Sequence, residues 1–203
     1  MDASLRHLMI ALVLAPTSLA AQATPDTVQL RNDCRLAVQI LTSGEPGPLR
    51  MEALHTIGLC GGQGVPALVA VWSAAADNRA ELGPLVTATR AFVTPELVTT
   101  LFSTLEQPGR ARDARVAALM VLLTYADSSI LPGFDDFLGD STAVLVHHYG
   151  AIDHPAPVIG RGSLAEPVTT RLRSTLQAIA ATDPDARMRI AARVALRNPP
   201  LFP

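Results

Sequence analysis

Arg115-Val116-Ala117-Ala118-Leu119-Met120-Val121-Leu122 is an arginine followed by an unbroken run of small and branched apolar residues. The pattern recurs as Arg50-Met51-Glu52-Ala53-Leu54-His55-Thr56-Ile57 and as Arg189-Ile190-Ala191-Ala192-Arg193-Val194-Ala195-Leu196. A looser copy is Leu85-Val86-Thr87-Ala88-Thr89-Arg90-Ala91-Phe92. The matching alanines are Ala53, Ala88, Ala118 and Ala192, at intervals of 35, 30 and 74 residues. Such a repeat marks a chain of stacked units, each too small to bury its apolar face alone. A small residue recurring at one position lets two helices approach closely, while its apolar neighbours fill the seam. The last interval is about two periods, so one unit is missing or remodelled within residues 128–163.

The units are helical. Apolar positions three and four apart run through segments near 26–43, 47–60, 65–76, 79–91, 94–106, 110–126, 164–181 and 184–197. No long segment alternates with period two. Start signals stand at Thr24-Pro25, Thr94-Pro95-Glu96 and Asp183-Pro184, and Asn78 with Glu81 and Ser163 with Glu166 have capping-box spacing. Stop signals are Gly44, Gly61-Gly62, Pro108-Gly109 and Asn198-Pro199. The helices fall into pairs joined by tight turns. The expected fold is all-α: an α/α solenoid of stacked antiparallel hairpins over residues 24–198, with an irregular insert at 128–163 and a short tail at 199–203.

The second helix of each pair resembles that of the HEAT-repeat family, in which an acidic residue, an arginine, a small apolar pair and a leucine follow one another. Asp113-Ala114-Arg115-Val116-Ala117-Ala118-Leu119 matches well, as does the stretch from Asp183 to Ala192. Pro48 to Leu54 is a fair match and Gly83 to Phe92 a poor one. The likeness covers most of 33–197. It implies a curved ribbon with the second helices along the inner face, and it says almost nothing about function. Armadillo-like and irregular α/α solenoids are the nearest alternatives. Polar residues are expected on the outer sides of the end units: Arg31, Asn32, Asp33 and Arg35 at the start, and Arg187, Arg189, Arg193 and Arg197 at the end.

Composition agrees with close-packed helices, since 49% of the 203 residues are hydrophobic but only 4% aromatic. A net charge of −2 leaves no basic footprint for nucleic acid. All 16 basic residues are arginine, which excludes Schiff-base chemistry and a lysine-bearing phosphate loop. Residues 1–23 read as a secretory signal peptide: Arg6, then an apolar run from Leu8 to Ala15, then Pro16 and small residues, with cleavage between Ala20 and Thr24. A short core helix is the alternative. No apolar stretch is long enough for a permanent membrane anchor. The expected product is periplasmic or secreted.

Cys34 and Cys60 are the two cysteines. In an oxidising compartment an even count favours a bridge, with two buried thiols as the alternative. A hairpin turning near residues 45–47 brings the two together, and the bridge contributes on the order of 3 kcal/mol. His147, His148 and His154 with Asp153 form the one local cluster with metal-ligand character, suited to zinc or copper. An ordinary polar connection explains them as well. Asp135, Asp136 and Asp140 lack the spacing of a calcium loop. Gly61-Gly62-Gln63-Gly64 precedes a helix as a phosphate cradle would, but without the preceding strand or following lysine it reads as a helix-ending turn.

No nucleophilic constellation is visible, so no cofactor is expected and no catalytic residue is assigned. The candidate partner-binding residues are Arg90, Arg115, Arg189 and Arg193. Arg189, Arg193 and Arg197 form one helical stripe, and Arg50, Arg115 and Arg189 share one repeat position. These arginines suit either an anion-reading inner face or pairing between repeats with residues such as Asp113, Asp185 and Glu52. The segment from Ser141 to Gly162 departs most from the repeat and reads as a projecting hairpin or loop, or as padding. The expected function is an exported non-catalytic scaffold binding a protein partner. The alternative is a metal-binding accessory protein or enzyme using His147 to His154.

Overall fold

The computed structural model describes residues 25–44, 47–74, 79–126 and 161–197, and the fold there is all-helical. Eight α-helices are found among the described residues: α1 (Pro25–Ser43), α2 (Pro48–Ile57), α3 (Val65–Ser73), α4 (Arg79–Arg90), α5 (Pro95–Glu106), α6 (Arg112–Ala126), α7 (Arg161–Thr182) and α8 (Ala186–Leu196). The expected signal peptide, most of the 128–163 insert with its histidines and aspartates, and the 199–203 tail lie outside the described residues.

Local chemistry sets the helix ends. Thr94 caps α5, its Oγ1 accepting from the Leu97 N–H at 3.3 Å, and Pro95 supplies a first residue with no N–H to satisfy. The start of α8 differs from the expectation. Asp185, not Asp183, is the cap, accepting from Arg187 N–H at 2.8 Å and Met188 N–H at 3.4 Å. The Asp183 carboxylate is committed elsewhere, so the helix begins two residues later.

Helices α1, α3 and α5 pack in succession, and so do α2, α4 and α6. The two successions are joined by α1 on α2 and α5 on α6, while α7 packs on α6 and α8 on α7. The innermost helix is α6. Every residue from Ala114 to Tyr125 is buried, Arg115 and Thr124 among them, as befits a helix with apolar residues on every side. A helix surrounded in this way is held chiefly by burial, at about 1.5–3 kcal/mol for each large side chain such as Leu119 or Leu122.

A polar node of Trp72, Thr89 and Tyr125 lies within this interior. The indole Nε1–H of Trp72 in α3 donates to Thr89 Oγ1 in α4 at 2.9 Å, and that hydroxyl donates to Leu85 O at 2.6 Å. The Tyr125 hydroxyl of α6 donates to Thr89 O at 2.9 Å. Burial pushes the Tyr125 phenol well above its ordinary pKa of 10, so it stays a donor. All three residues are buried with their hydrogen bonds made, which spares the cost of an orphaned group.

The glycine stretch after α2 forms a single 3₁₀ turn, Gly61–Gly64, as a helix-ending turn requires. Gly61 sits at φ +58°, a backbone conformation that side-chain-bearing residues rarely adopt. Gly64 is constrained by space, because a Cβ there would stand 2.9 Å from Ile57 O and 3.0 Å from Ile57 Cγ1. That carbonyl already accepts from Cys60 N–H, so it is not at liberty to move. Gly64→Ala is therefore expected to lower stability by about 1–3 kcal/mol, the usual cost of overpacking. Urea unfolding checks this, and an unchanged midpoint would mean that Ile57 yields without cost.

Candidate functional site

The candidate residues divide between two regions: the disulfide end and an arginine system linking the helix pairs. Cys34 of α1 and Cys60 beyond α2 are joined as a disulfide, with Cα atoms 5.5 Å apart. Both are buried, at 4% and 9% exposure.

Arg50 and Arg115, which share the first position of the repeat, make the same kind of contact. Arg50 donates through Nη1 to Leu41 O at the end of α1 (3.2 Å) and through Nε to Glu81 Oε2 in α4 (2.9 Å). Arg115 donates through Nε to Leu105 O at the end of α5 (2.9 Å). Its two Nη groups take the Asp183 carboxylate as a fork, Nη1 to Oδ1 at 3.2 Å and Nη2 to Oδ2. Each guanidinium thus covers a carbonyl at the end of one helix and neutralises a carboxylate further along the chain. The acids differ from those expected. Asp185 is occupied as the α8 cap, Asp113 lies 3.4 Å from Arg112 Nε, and Glu52 is exposed on α2.

Of the four candidate contact residues, Arg115 lies innermost. Its side chain is 1% exposed, so its guanidinium acts inside the fold. Arg189 is partly buried and donates to Asp183 O at 2.6 Å and Pro184 O at 3.3 Å, bracing the turn between α7 and α8. Arg115 and Arg189 therefore converge on one aspartate. Arg193 is exposed and reaches Ala180 O at 3.5 Å. Arg90 stands partly buried at the end of α4, where burial lowers its pKa from the ordinary 12.5.

Burial alone would raise the Asp183 carboxyl, but the hydrogen bond and charge of Arg115, the Asp185 N–H and the charge of Arg189 together hold it below its ordinary value of 3.8. A depressed folded pKa contributes stability that is fully present above the unfolded value. That stability is lost as pH falls through the lower folded one. Thermal unfolding measured downward from about pH 4 is expected to show a steeper loss for the native chain than for Asp183→Asn. Parallel acid limbs would mean the carboxylate is no more stabilised folded than unfolded.

A second link lies beside the first. Arg171 of α7 stacks on the Phe102 ring of α5, 4.1 Å from its centroid, and donates to both Glu106 oxygens at 3.0 and 3.2 Å. Thr175 adds a bond to Glu106 Oε1 at 2.9 Å. Between these ends of α5 and α7 runs an open groove of about 380 Å³, lined by Glu106, Ile179 and Asp183 among others. Both carboxylates at its edge are already held by arginine.

No family model, curated protein or solved structure matches this chain. The functional reading therefore rests on the chain's own geometry. Among the described residues, no group of three or more His, Cys, Asp or Glu side chains is placed to hold a metal ion. No described helix is long and apolar enough to cross a membrane. His147, His148 and His154 lie outside the described residues. Sequence reading missed Glu81 and Asp183 as ion-pair partners. The available signal was that both are acids with local capping roles already assigned, which hid their distant ones.

Proposed function

We propose that this chain is an exported, non-catalytic adaptor, built as a HEAT-like stack of helical hairpins and engaging a protein partner through its second-row helices. The observation that carries the reading is the equivalence of Arg50 and Arg115, each tying a carbonyl of the preceding helix to a carboxylate further along. Equivalent residues making equivalent contacts are what a repeated unit demands. The succession of α1, α3, α5 beside α2, α4, α6 supports the same arrangement.

The last described helix supports it further. Leu54 and Leu119 occupy the fourth place after the repeat arginine and are fully buried. Arg193 holds the same place in α8 and is exposed. A leucine serves where another helix follows, and an arginine serves where none of the described helices does. Arg187 on the same helix is also exposed, so α8 offers a partner a cationic surface, with Arg189 and Arg90 less accessible.

Affinity capture with crosslinking from the exported fraction tests the adaptor reading. Arg193→Glu is expected to weaken partner capture about tenfold or more, the usual reach of a reversed interface charge, with an unchanged melting temperature. Capture that is indifferent to Arg193→Glu, or stoichiometric metal in the purified chain, would count against the reading.

A further inference from the structure

The geometry points to a redox-controlled anchoring of α1: reducing Cys34–Cys60 releases the amino-terminal half of α1 and leaves the rest of the described helices in place. The inference stands apart from the adaptor reading, since it needs no partner. It rests on where burial begins. From Thr27 to Asp33 no residue is buried, and Val28 and Leu30 are 47% and 41% exposed. From Thr27 onward Cys34 is the first buried residue, and its sulfur is bonded to Cys60. Before the disulfide, Gln29 Nε2–H donates to Asp33 Oδ1 at 3.0 Å within the exposed stretch of α1.

The carboxyl half of α1 is anchored independently. Ala37 and Leu41 are each 2% exposed, and Arg50 bonds Leu41 O while pairing with Glu81 of α4. Opening the disulfide therefore leaves one half of α1 fixed and the other with no buried anchor between Thr27 and Asp33. A helical segment of two or three turns with no packed face is marginal in water. Its opening then becomes a local event rather than a global one.

The chemistry balances with an external dithiol as reductant. Its thiolate attacks one sulfur to form a mixed disulfide, and its second thiol resolves that bond. The reagent departs as a disulfide, and Cys34 and Cys60 each gain one electron and one proton. Access is available beside Cys60, which sits between exposed Leu59 (71%) and exposed Gly62. In the oxidised chain the whole of α1 is held, and in the reduced chain its packed part starts near Ala37.

Trypsin reads this directly on the full chain, because arginine is its sole target in a sequence without lysine. Arg31 and Arg35 flank Cys34 and are exposed, and Arg171 and Arg173 on α7 serve as exposed controls. Reduction with dithiothreitol, or the double variant Cys34→Ser/Cys60→Ser, is expected to speed cleavage at Arg31 and Arg35 by about tenfold or more. Cleavage at Arg171 and Arg173 should hold its rate. Unchanged cutting at Arg31 and Arg35 would overturn the proposal. So would equal acceleration at all four sites, which would make the disulfide a support of the whole fold.

Discussion

Asp183→Ala is expected to lower the unfolding free energy by about 3–5 kcal/mol, the range for stripping one partner from a buried ion pair. The size follows from what is left behind. Arg115 is 1% exposed, keeps its bond to Leu105 O, and loses the fork that neutralised it. A guanidinium does not escape by releasing its proton, so the cost falls on the fold. Arg115→Met should cost less, because Asp183 retains the Asp185 N–H on its Oδ1. The double variant Arg115→Met/Asp183→Leu should recover most of the loss, since apolar replacements of similar volume often match a buried pair. Urea unfolding of the native chain, Arg115→Met, Asp183→Leu and their double variant gives the coupling through a double-mutant cycle. A loss below about 1 kcal/mol for Asp183→Ala, the range of a solvated surface pair, would refute the buried-pair account.

The position of that pair explains why the sequence carried one level of structure and not the next. A helix face is written locally, in residues three and four apart, so α1, α5 and α6 fall within a residue or two of where their patterns place them. The disulfide was legible for a related reason. A hairpin turning between α1 and α2 returns the chain past its own start, which leaves Cys34 and Cys60 facing one another across 26 residues. Carboxylate partners are written nowhere locally. Arg50 meets Glu81 over 31 residues, and Arg115 meets Asp183 over 68. In both cases a nearby proline or asparagine suggests a capping role for the acid. At Asp183 the tertiary demand of a buried guanidinium outweighed that local use, and Asp185 caps α8 instead, because an unpaired buried charge costs more than a missing cap. The Trp72–Thr89–Tyr125 node was invisible for the same reason, as its hydrogen bonds join three helices at separations of 17 and 36 residues.

At that node, Trp72→Ala is expected to cost about 3–5 kcal/mol, the range for removing a fully buried aromatic side chain. Trp72 is 0% exposed and sits in the last turn of α3, a helix of nine residues too short to persist alone. It supplies the hydrogen bond between α3 and α4, and its carbonyl accepts from Arg110 at the helix end. Truncation removes packing volume and that bond together. Trp72→Phe separates them: it keeps most of the volume and loses the donor, and should cost nearer 1–2 kcal/mol. Thr89→Val is the complementary change. It leaves the indole N–H buried without its acceptor and should also cost about 1–3 kcal/mol. Because Trp72 is the single tryptophan, its emission reports α3 directly in Thr89→Val, while circular dichroism follows all three variants. If Trp72→Ala cost no more than Trp72→Phe, the contribution at this position would lie in the hydrogen bond and not in the packing.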